Sequence, residues 1–151
     1  MRRSRKGRKG FTLIEVLLVV GILALLAAFV IPNLIKSGEE AKIKIAMAHV
    51  GRTGPIANAI QKFHFDTGVY PEELADLASQ EIPDYLEIEE EQWQGPYIDD
   101  PNSLKDPWSN EYMYRGGDSA EVNEGGYDLW SNGPDGEEGT EDDITNWTEE
   151  D

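Results

Sequence analysis

The stretch RKGFTLIEVLLVVGILALLAAFVIPNL, residues 8–34, places an apolar run directly behind a basic segment. From Phe11 to Ile31 the run holds roughly 20 residues that are nearly all apolar, about the number that a helix needs to cross a bilayer. One carboxylate, Glu15, stands near its beginning, although a charge inside a membrane is costly. Any interpretation of how this segment folds and is anchored must therefore explain Glu15.

The charges on either side orient this segment. Residues 1–10 carry six basic residues and no acidic one, and few charges follow Ile31, which predicts a cytoplasmic N-terminus and an exported C-terminus. A cleaved secretory signal peptide would carry small residues after its apolar core; Ala24, Ala27 and Ala28 supply such a site only loosely, because the run continues beyond them. A plain membrane anchor fits the length but leaves Glu15 unexplained.

The residues KGFTLIE resemble the processing signal of type IV pilins and type II secretion pseudopilins. In that signal a basic leader ends at a glycine, here Gly10, a phenylalanine follows, here Phe11, and a glutamate stands four residues later, here Glu15. Pro32 matches the proline that the family carries near the end of its apolar helix. The resemblance implies that a prepilin peptidase cleaves between Gly10 and Phe11 and methylates the new amine of Phe11, while the helix is kept.

Cleavage at that bond gives Glu15 a partner. It creates a positive α-amine at Phe11, and in a helical assembly Glu15 of one subunit can pair with the Phe11 amine of its neighbour. A buried charge without a partner is strongly unfavourable, so the correct register is favoured over others. We predict that Phe11, Glu15 and Pro32 are assembly residues. The alternative is that Glu15 lies at the headgroup boundary and pairs with nothing.

Four segments follow from this interpretation. They are a cleaved leader at residues 1–10, a transmembrane and assembly helix at 11–35, a periplasmic continuation at 36–65 and a globular head at 66–151. Gly51, Gly54 and Pro55 predict a kink or a short break within residues 51–55. The resemblance implies an α+β, pilin-like fold in which the long N-terminal helix packs on a small antiparallel sheet.

Within the head, three stretches predict regular structure. PEELADLAS, residues 71–79, is a short helix candidate inside a loop-rich region. The turn at residues 105–108 precedes a strand at Glu111–Arg115, where Tyr112 and Tyr114 alternate with other residues. YDLWS, residues 127–131, predicts a second strand.

The charge of the chain excludes some classes of function. The formal net charge is −17, and without the leader seven basic residues face 30 acidic ones, a charge of −23. Nucleic-acid binding needs a positive surface and is not expected. The absence of cysteine excludes a disulfide framework, a thiolate metal site and a cysteine nucleophile. His49 and His64 have no candidate nucleophile nearby in sequence, and we predict no enzymatic activity.

The C-terminal region is acidic throughout. Residues 116–151 contain 13 acidic residues and no Lys or Arg. Calcium is bound by six to eight hard oxygens, often in a flexible loop. An EF-hand is rejected because only Asp135, Gly136 and Asp142 match its template, while Ser131 and Gly133 occupy its first two ligand positions.

The pattern at residues 128–147 instead resembles the calcium loop of major pseudopilins of type II secretion. Its strand, Asp-Gly turn, spacer and Asp-Asp-Ile-x-Asn-Trp ending align without a gap, although the spacer has a single glycine, Gly139, where a pair is common. The resemblance implies a Ca²⁺ site with side-chain oxygens from three aspartates and backbone carbonyls from two other residues: Asp135, Asp142, Asp143, Asn132 and Glu137. A solvated acidic turn is the alternative.

The sequence thus predicts a structural subunit of a type II secretion pseudopilus. Its expected partners are further copies of the chain in a homopolymer, the prepilin peptidase, minor pseudopilins and the inner-membrane secretion platform. The expected location is the bacterial inner membrane, with one span, a cytoplasmic N-terminus and a periplasmic head. Two alternatives stay open: a type IV pilin subunit, and a membrane-anchored, exported calcium-binding module that does not polymerise.

Overall fold

A computed structural model describes residues 11–148, so the basic leader and the predicted cleavage residue Gly10 lie outside the described residues. The chain divides into two compact units between Gly38 and Glu39. The helices and strands of the described part are α1 (Leu13–Val50), α2 (Pro55–Thr67), β1 (Met113–Gly116), β2 (Tyr127–Ser131) and β3 (Ile144–Thr145).

The first unit consists of the N-terminal part of α1. Every residue from Phe11 to Gly38 is exposed, and the helix continues through Pro32. An 18-residue window of this helical region has a mean hydropathy of 3.0 and none of it is buried. By length and composition, this part of the described chain can cross a membrane.

The helical region is interrupted where glycines precede a proline. α1 ends at Val50 and α2 begins at Pro55. Pro55 suits the first turn of a helix because its missing N–H would find no partner there anyway. A Cβ on Gly54 would collide with the backbone carbonyls of Ala48 and His49, so the two helices approach each other at a residue without a side chain.

The core of the second unit forms around one face of α2. Ile56, Ile60 and Phe63 are fully buried at the spacing of a helical stripe. Trp93 and Tyr97 meet the Phe63 ring edge-on, with ring centroids 5.8 and 5.4 Å away. The same cluster includes residues from the end of α1 and from the sheet: Ala46, Val50, Leu129 and Ile144.

The sheet has three antiparallel strands in the order β1-β2-β3. β1 begins at Met113, two residues later than predicted. Glu111 instead pairs with Lys105 in an isolated bridge, because the amide of Tyr112 donates to the carbonyl of Leu104 and closes the intervening turn. β2 has the predicted bounds. The predicted α+β architecture, a long N-terminal helix with a small antiparallel sheet, is confirmed.

The short helix predicted at residues 71–79 is a 3₁₀-helix at Leu74–Ala78. Its geometry is set by Asp76, whose Oδ2 accepts hydrogen bonds from the amides of Glu72 and Glu73, both at 3.1 Å. The same oxygen accepts the Tyr85 hydroxyl at 2.7 Å. These bonds hold the turn tightly at its N-terminus and orient Leu74 and Leu77 into the core.

Candidate functional sites

The first candidate site is the N-terminal end of α1. Oε2 of Glu15 accepts hydrogen bonds from the amide and the hydroxyl of Thr12, at 2.9 and 3.0 Å. The amide of Glu15 in turn meets the Thr12 hydroxyl at 3.3 Å, which is the arrangement of a capping box. Phe11 is 87% exposed beside it. Phe11 and Glu15 therefore lie at the same helix end, whereas Pro32 lies far along the helix.

The second candidate site is the loop between β2 and β3. Asp142 organises it: Oδ2 accepts the amide of Asp135 at 3.1 Å, and Oδ1 accepts the Thr140 hydroxyl at 2.6 Å. The Thr140 oxygen also lies 3.4 Å from Oδ1 of Asp135 and 3.2 Å from the carbonyl oxygen of Glu137. Three of the five predicted calcium ligands thus place an oxygen next to the same hydroxyl.

The other two predicted ligands lie in the same loop. Oδ2 of Asp143 accepts the amide of Gly139 at 2.8 Å, while its Oδ1 is buried without a hydrogen-bond partner. The carbonyl of Asn132 accepts the amide of Gly136 at 3.1 Å, and the side-chain oxygen of Asn132 is also buried and unpartnered. Buried oxygens without donors are uncommon in folded proteins, and a bound cation is one way to satisfy them.

The kind of oxygen in this loop matters for any metal that it holds. Among residues 11–148, no three His, Asp or Glu side chains form a metal-binding cluster. The loop combines carboxylates with backbone carbonyls and the Thr140 hydroxyl, a mixture of hard oxygens that fits Ca²⁺ better than a transition metal. The residues present therefore fit a calcium ion, although only Asp135, Glu137 and Asp142 share a neighbour, the Thr140 hydroxyl.

The carboxylate of Asp142 is held in its ionised form. The Thr140 hydroxyl, and after it the amide of Asp135, lowers the pKa of Asp142 below its ordinary value of 3.8. Hydrogen bonds to the charged form are the cause, because they favour the carboxylate over the acid. Asp142 consequently carries a negative charge at neutral pH.

A buried hydrogen-bond chain fixes where this loop begins. Asp106 is 5% exposed and its Oδ1 accepts the amides of Trp108 and Asn110 at 3.0 and 2.9 Å. Its Oδ2 accepts the Ser131 hydroxyl at 2.6 Å, and the Ser131 oxygen accepts the amide of Gly133 at 3.2 Å. The turn before β1 is thereby joined to the first residues of the acidic loop.

A second buried carboxylate shapes the segment before β2. Asp128 is 1% exposed and accepts the amides of Glu121, Val122 and Asn123 at 2.7, 3.0 and 2.8 Å. Burial raises the pKa of Asp128, but these hydrogen bonds outweigh it, and the pKa is lowered from 3.8. Asp128 is therefore a buried, ionised acceptor for three backbone amides of the segment before β2.

Trp108 ties the head to α1. Its indole N–H donates to Oε2 of Glu39 at 2.8 Å, and Lys42 lies 3.2 Å from the other oxygen of Glu39. The Trp108 hydrogen bond, followed by that of Lys42, lowers the pKa of Glu39. Along the described chain, Glu39 is also the first residue that is partly buried. Within the second unit, Glu39 thus joins α1 to the turn before β1.

Sequence reasoning missed three of these residues. Thr140 lies in the spacer of the loop, for which the resemblance implies no ligand. A hydroxyl next to acidic residues is nevertheless a recognisable oxygen ligand for a metal. Asp106 precedes a proline in an Asp-Pro-Trp turn, where an aspartate commonly accepts the amide two residues on. Ser131 closes a predicted strand, and no local pattern indicates its partner 25 residues away. His64, by contrast, stacks on Tyr70 with ring centroids 4.1 Å apart.

Comparison with protein families identifies the chain. Residues 33–147 match the family model described as "Type II secretion system (T2SS), protein G", and residues 5–31 match the prokaryotic N-terminal methylation motif. The chain belongs to the type II secretion system protein G family. The family match covers the head and the acidic loop, and the methylation motif covers the segment that resembles a prepilin signal.

Individual members of the protein G family agree over nearly the whole chain. Type II secretion system core protein G of Escherichia coli K12 is 36% identical over 96% of this chain and 94% of its own length. Its counterpart in Vibrio cholerae is 35% identical over 100% of this chain and 99% of its own length. The similarity therefore includes the leader region, the helix and the head.

A solved structure shows the same fold. The crystal structure of the major pseudopilin from the type 2 secretion system of enterohaemorrhagic Escherichia coli has a TM-score of 0.59 and 26% sequence identity. The match covers 80% of this chain and 94% of that one. The predicted resemblance to pseudopilins is confirmed, and the pseudopilin interpretation is favoured over a type IV pilin.

Proposed function

We propose that this chain is the major subunit of a type II secretion pseudopilus. A prepilin peptidase would cleave between Gly10 and Phe11 and methylate Phe11, and the subunits would then polymerise through the helix at residues 11–35. Growth of the fibre would drive proteins across the outer membrane. The observation that carries this proposal is the exposed apolar first part of α1, with Glu15 in its first turn.

The apolar side chains of this helix are exposed on all sides and have to be shielded from water. Side chains such as Leu17, Leu25 and Phe29 are 62, 66 and 75% exposed, and such a contiguous apolar surface is not stable in water. A bilayer covers it before assembly, and the helices of neighbouring copies cover it in a fibre. The same helix therefore serves as an anchor first and as an assembly element afterwards.

Glu15 gives the assembly its register. Its bonds to Thr12 are made with neutral donors, so they satisfy Oε2 but leave the negative charge without a counter-charge. Among apolar helices that charge needs a cation, and the α-amine of Phe11 on a neighbouring copy supplies one. A copy that docks one turn away leaves Glu15 unpaired and is disfavoured.

The same proposal fixes topology and partners. The N-terminus would lie in the cytoplasm, where the peptidase cleaves, and the head at residues 66–151 would lie in the periplasm with the continuation at 36–65. Minor pseudopilins and the inner-membrane secretion platform would be the other partners. We propose a structural and not an enzymatic role, because the chain belongs to the protein G family and resembles a major pseudopilin.

We further propose that the acidic loop binds Ca²⁺. Asp135, Asp142 and Asp143 would hold it with side-chain oxygens, and Asn132 and Glu137 with backbone carbonyls. The ion supplies positive charge to carboxylates that otherwise repel one another. The buried, unpartnered Oδ1 of Asp143 and the shared position of Thr140 next to Asp135 and Asp142 support this assignment.

Mass spectrometry of the purified membrane-extracted protein tests the processing step. The expected mature chain begins with N-methylated Phe11. A chain that starts downstream of Ala28 would indicate an ordinary signal peptide, and a chain that retains Met1 would indicate a plain anchor; either result contradicts the proposal. The matched control is Gly10→Val, which should retain the leader because the peptidase requires a glycine before the cleaved bond.

A further inference from the structure

Arg115 joins three parts of the head that are separate in sequence. It lies in β1, and its Nη1 is 3.0 Å from Oε2 of Glu121, in the segment before β2. Its Nη2 is 3.1 Å from Oε1 of Glu138, in the acidic loop. The guanidinium carbon lies 5.0 Å from the ring centroid of Trp130 in β2. One cationic side chain thus contacts two loops and a buried tryptophan.

Arg115 is also the last basic residue of the chain. The 36 residues that follow contain 13 acidic side chains and no Lys or Arg. Arg115 and Asp143 line the same cleft of about 410 Å³, together with Thr140 and Trp147. Arg115 therefore borders the same cavity as acidic residues of the loop other than Glu138, among them Asp143.

We propose that Arg115 is a built-in counter-cation that holds the acidic loop on the sheet and stabilises the head most when no divalent cation is bound. Single exposed ion pairs contribute little, and the side chains of Glu121 and Glu138 are 71 and 49% exposed. Arg115 should contribute more to the stability of the head than a single exposed pair, because its planar guanidinium contacts two carboxylates at once. The guanidinium also lies against the ring of Trp130. Its fixed position also reduces repulsion among the remaining loop carboxylates.

The proposal has a second consequence that rests on the proposed calcium site. Arg115 and Ca²⁺ would neutralise the same excess of negative charge, so each should stabilise the head more when the other is absent. Arg115 is then a positioning residue for the loop, because it contacts Glu138 and not the proposed ligands themselves. Its loss should make the stability of the head depend more strongly on calcium.

Thermal unfolding of the full processed chain in detergent tests this. All four tryptophans, at positions 93, 108, 130 and 147, lie in the head, so tryptophan fluorescence follows the head alone. Arg115→Met keeps an apolar stem over Trp130 but removes the charge. We expect its Tm to fall by about 4 °C or more in a chelator, and by less than half as much in saturating calcium. The loss of Tm for Arg115→Lys should lie between zero and the loss for Arg115→Met. Lysine keeps the positive charge but lacks the planar guanidinium that contacts two carboxylates at once.

Lys62→Met is the matched control, since Lys62 lies 5.5 Å from the ring centroid of Tyr97 and far from the acidic loop in sequence. Its change in Tm should be equal with and without calcium. If calcium raises the Tm of the parent, an equal loss of Tm for Arg115→Met in both conditions would overturn the proposal, and so would no loss in either condition.

Salt separates this proposal from the calcium proposal. In chelator, raising NaCl to about 1 M shortens the Debye length to about 3 Å and should shrink the difference in Tm between the parent and Arg115→Met. A difference that persists unchanged at high salt would overturn the counter-cation role. If the parent shows no calcium-dependent rise in Tm, the calcium site fails, while this salt dependence still decides the role of Arg115.

Discussion

The hydroxyl of Ser131 donates a 2.6 Å hydrogen bond to the carboxylate of Asp106, and both residues are buried. Asp106 holds the turn that precedes β1, and Ser131 is the last residue of β2. The Ser131 oxygen also accepts the amide of Gly133, where the acidic loop begins. A single buried contact therefore positions two loops that the sheet alone does not connect.

Ser131→Ala should destabilise the head by about 1–3 kcal/mol, because it leaves a buried carboxylate oxygen without its donor. The free energy of unfolding in urea, followed by tryptophan fluorescence, measures the loss. Ser119→Ala is the control, since Ser119 is exposed and removal of its hydroxyl should change little. Equal stability of the parent and Ser131→Ala would mean that the contact contributes nothing.

Asp128→Asn should destabilise the head by about 2–3 kcal/mol at neutral pH, because an amide NH₂ would face backbone amides that now donate to a carboxylate. The folded pKa of Asp128 is lowered, so its contribution is fully present above the ordinary pKa of 3.8 and is lost as the pH falls through the lower folded pKa. The difference between parent and variant should be constant from pH 7 to 5 and shrink below about pH 4.

Urea titrations of both proteins over that pH range give the difference directly. A gap that narrows already between pH 7 and 5 would contradict the lowered pKa of Asp128. The comparison cancels the titration of the other carboxylates, because both proteins share them.

Glu15→Leu should leave membrane insertion intact and abolish fibre formation, because it removes the partner of the Phe11 amine while the helix becomes more apolar. Lysis of the cells and separation of fibres from membranes, followed by quantification of the chain in the fibre and membrane fractions, measures both properties. Glu40→Leu removes an exposed carboxylate from the same helix and serves as the control. Normal fibres from Glu15→Leu would reject the pairing and leave an anchored, non-polymerising module as an alternative.

Saturating Ca²⁺ should raise the melting temperature of the head, and Asp142→Ala combined with Asp143→Ala should abolish the rise. At 100 times the Kd, one site contributes about 2.7 kcal/mol to the folded state. Glu90→Ala combined with Glu91→Ala removes two exposed charges elsewhere in the head and should keep the response. If the Tm of the parent protein does not change with calcium, the proposed site is contradicted.

Local patterns in the sequence predicted much of the fold. The buried stripe of Ile56, Ile60 and Phe63 follows helical spacing, and β2 has the bounds that YDLWS indicated. β1 begins two residues later than the alternation of Tyr112 and Tyr114 predicts, because that alternation continues through a bridge that belongs to the preceding turn. Alternation of this kind indicates which side chains of a strand are buried, but not at which residue the pairing between strands begins.

The long-range contacts were beyond such patterns. Trp108 and Glu39 are 69 residues apart, and the partners of Arg115 come from two different loops. A charge run such as the C-terminal one indicates repulsion, but only the fold shows which cation offsets it. The proposed calcium ligands came from a resemblance, and the structure adds Thr140 to their surroundings.

Two glycines of the acidic loop differ in which substitutions they can accept. Gly133 and Gly136 both have a positive φ, of 60° and 71°. Asparagine and aspartate tolerate that conformation better than other residues with a side chain. Around Gly136 a Cβ would make only ordinary contacts, the nearest with Asn110 at 3.5 Å, whereas at Gly133 it would collide with the carbonyl oxygen of Asp142. A saturation library should therefore recover Asn and Asp at position 136 and only glycine at position 133.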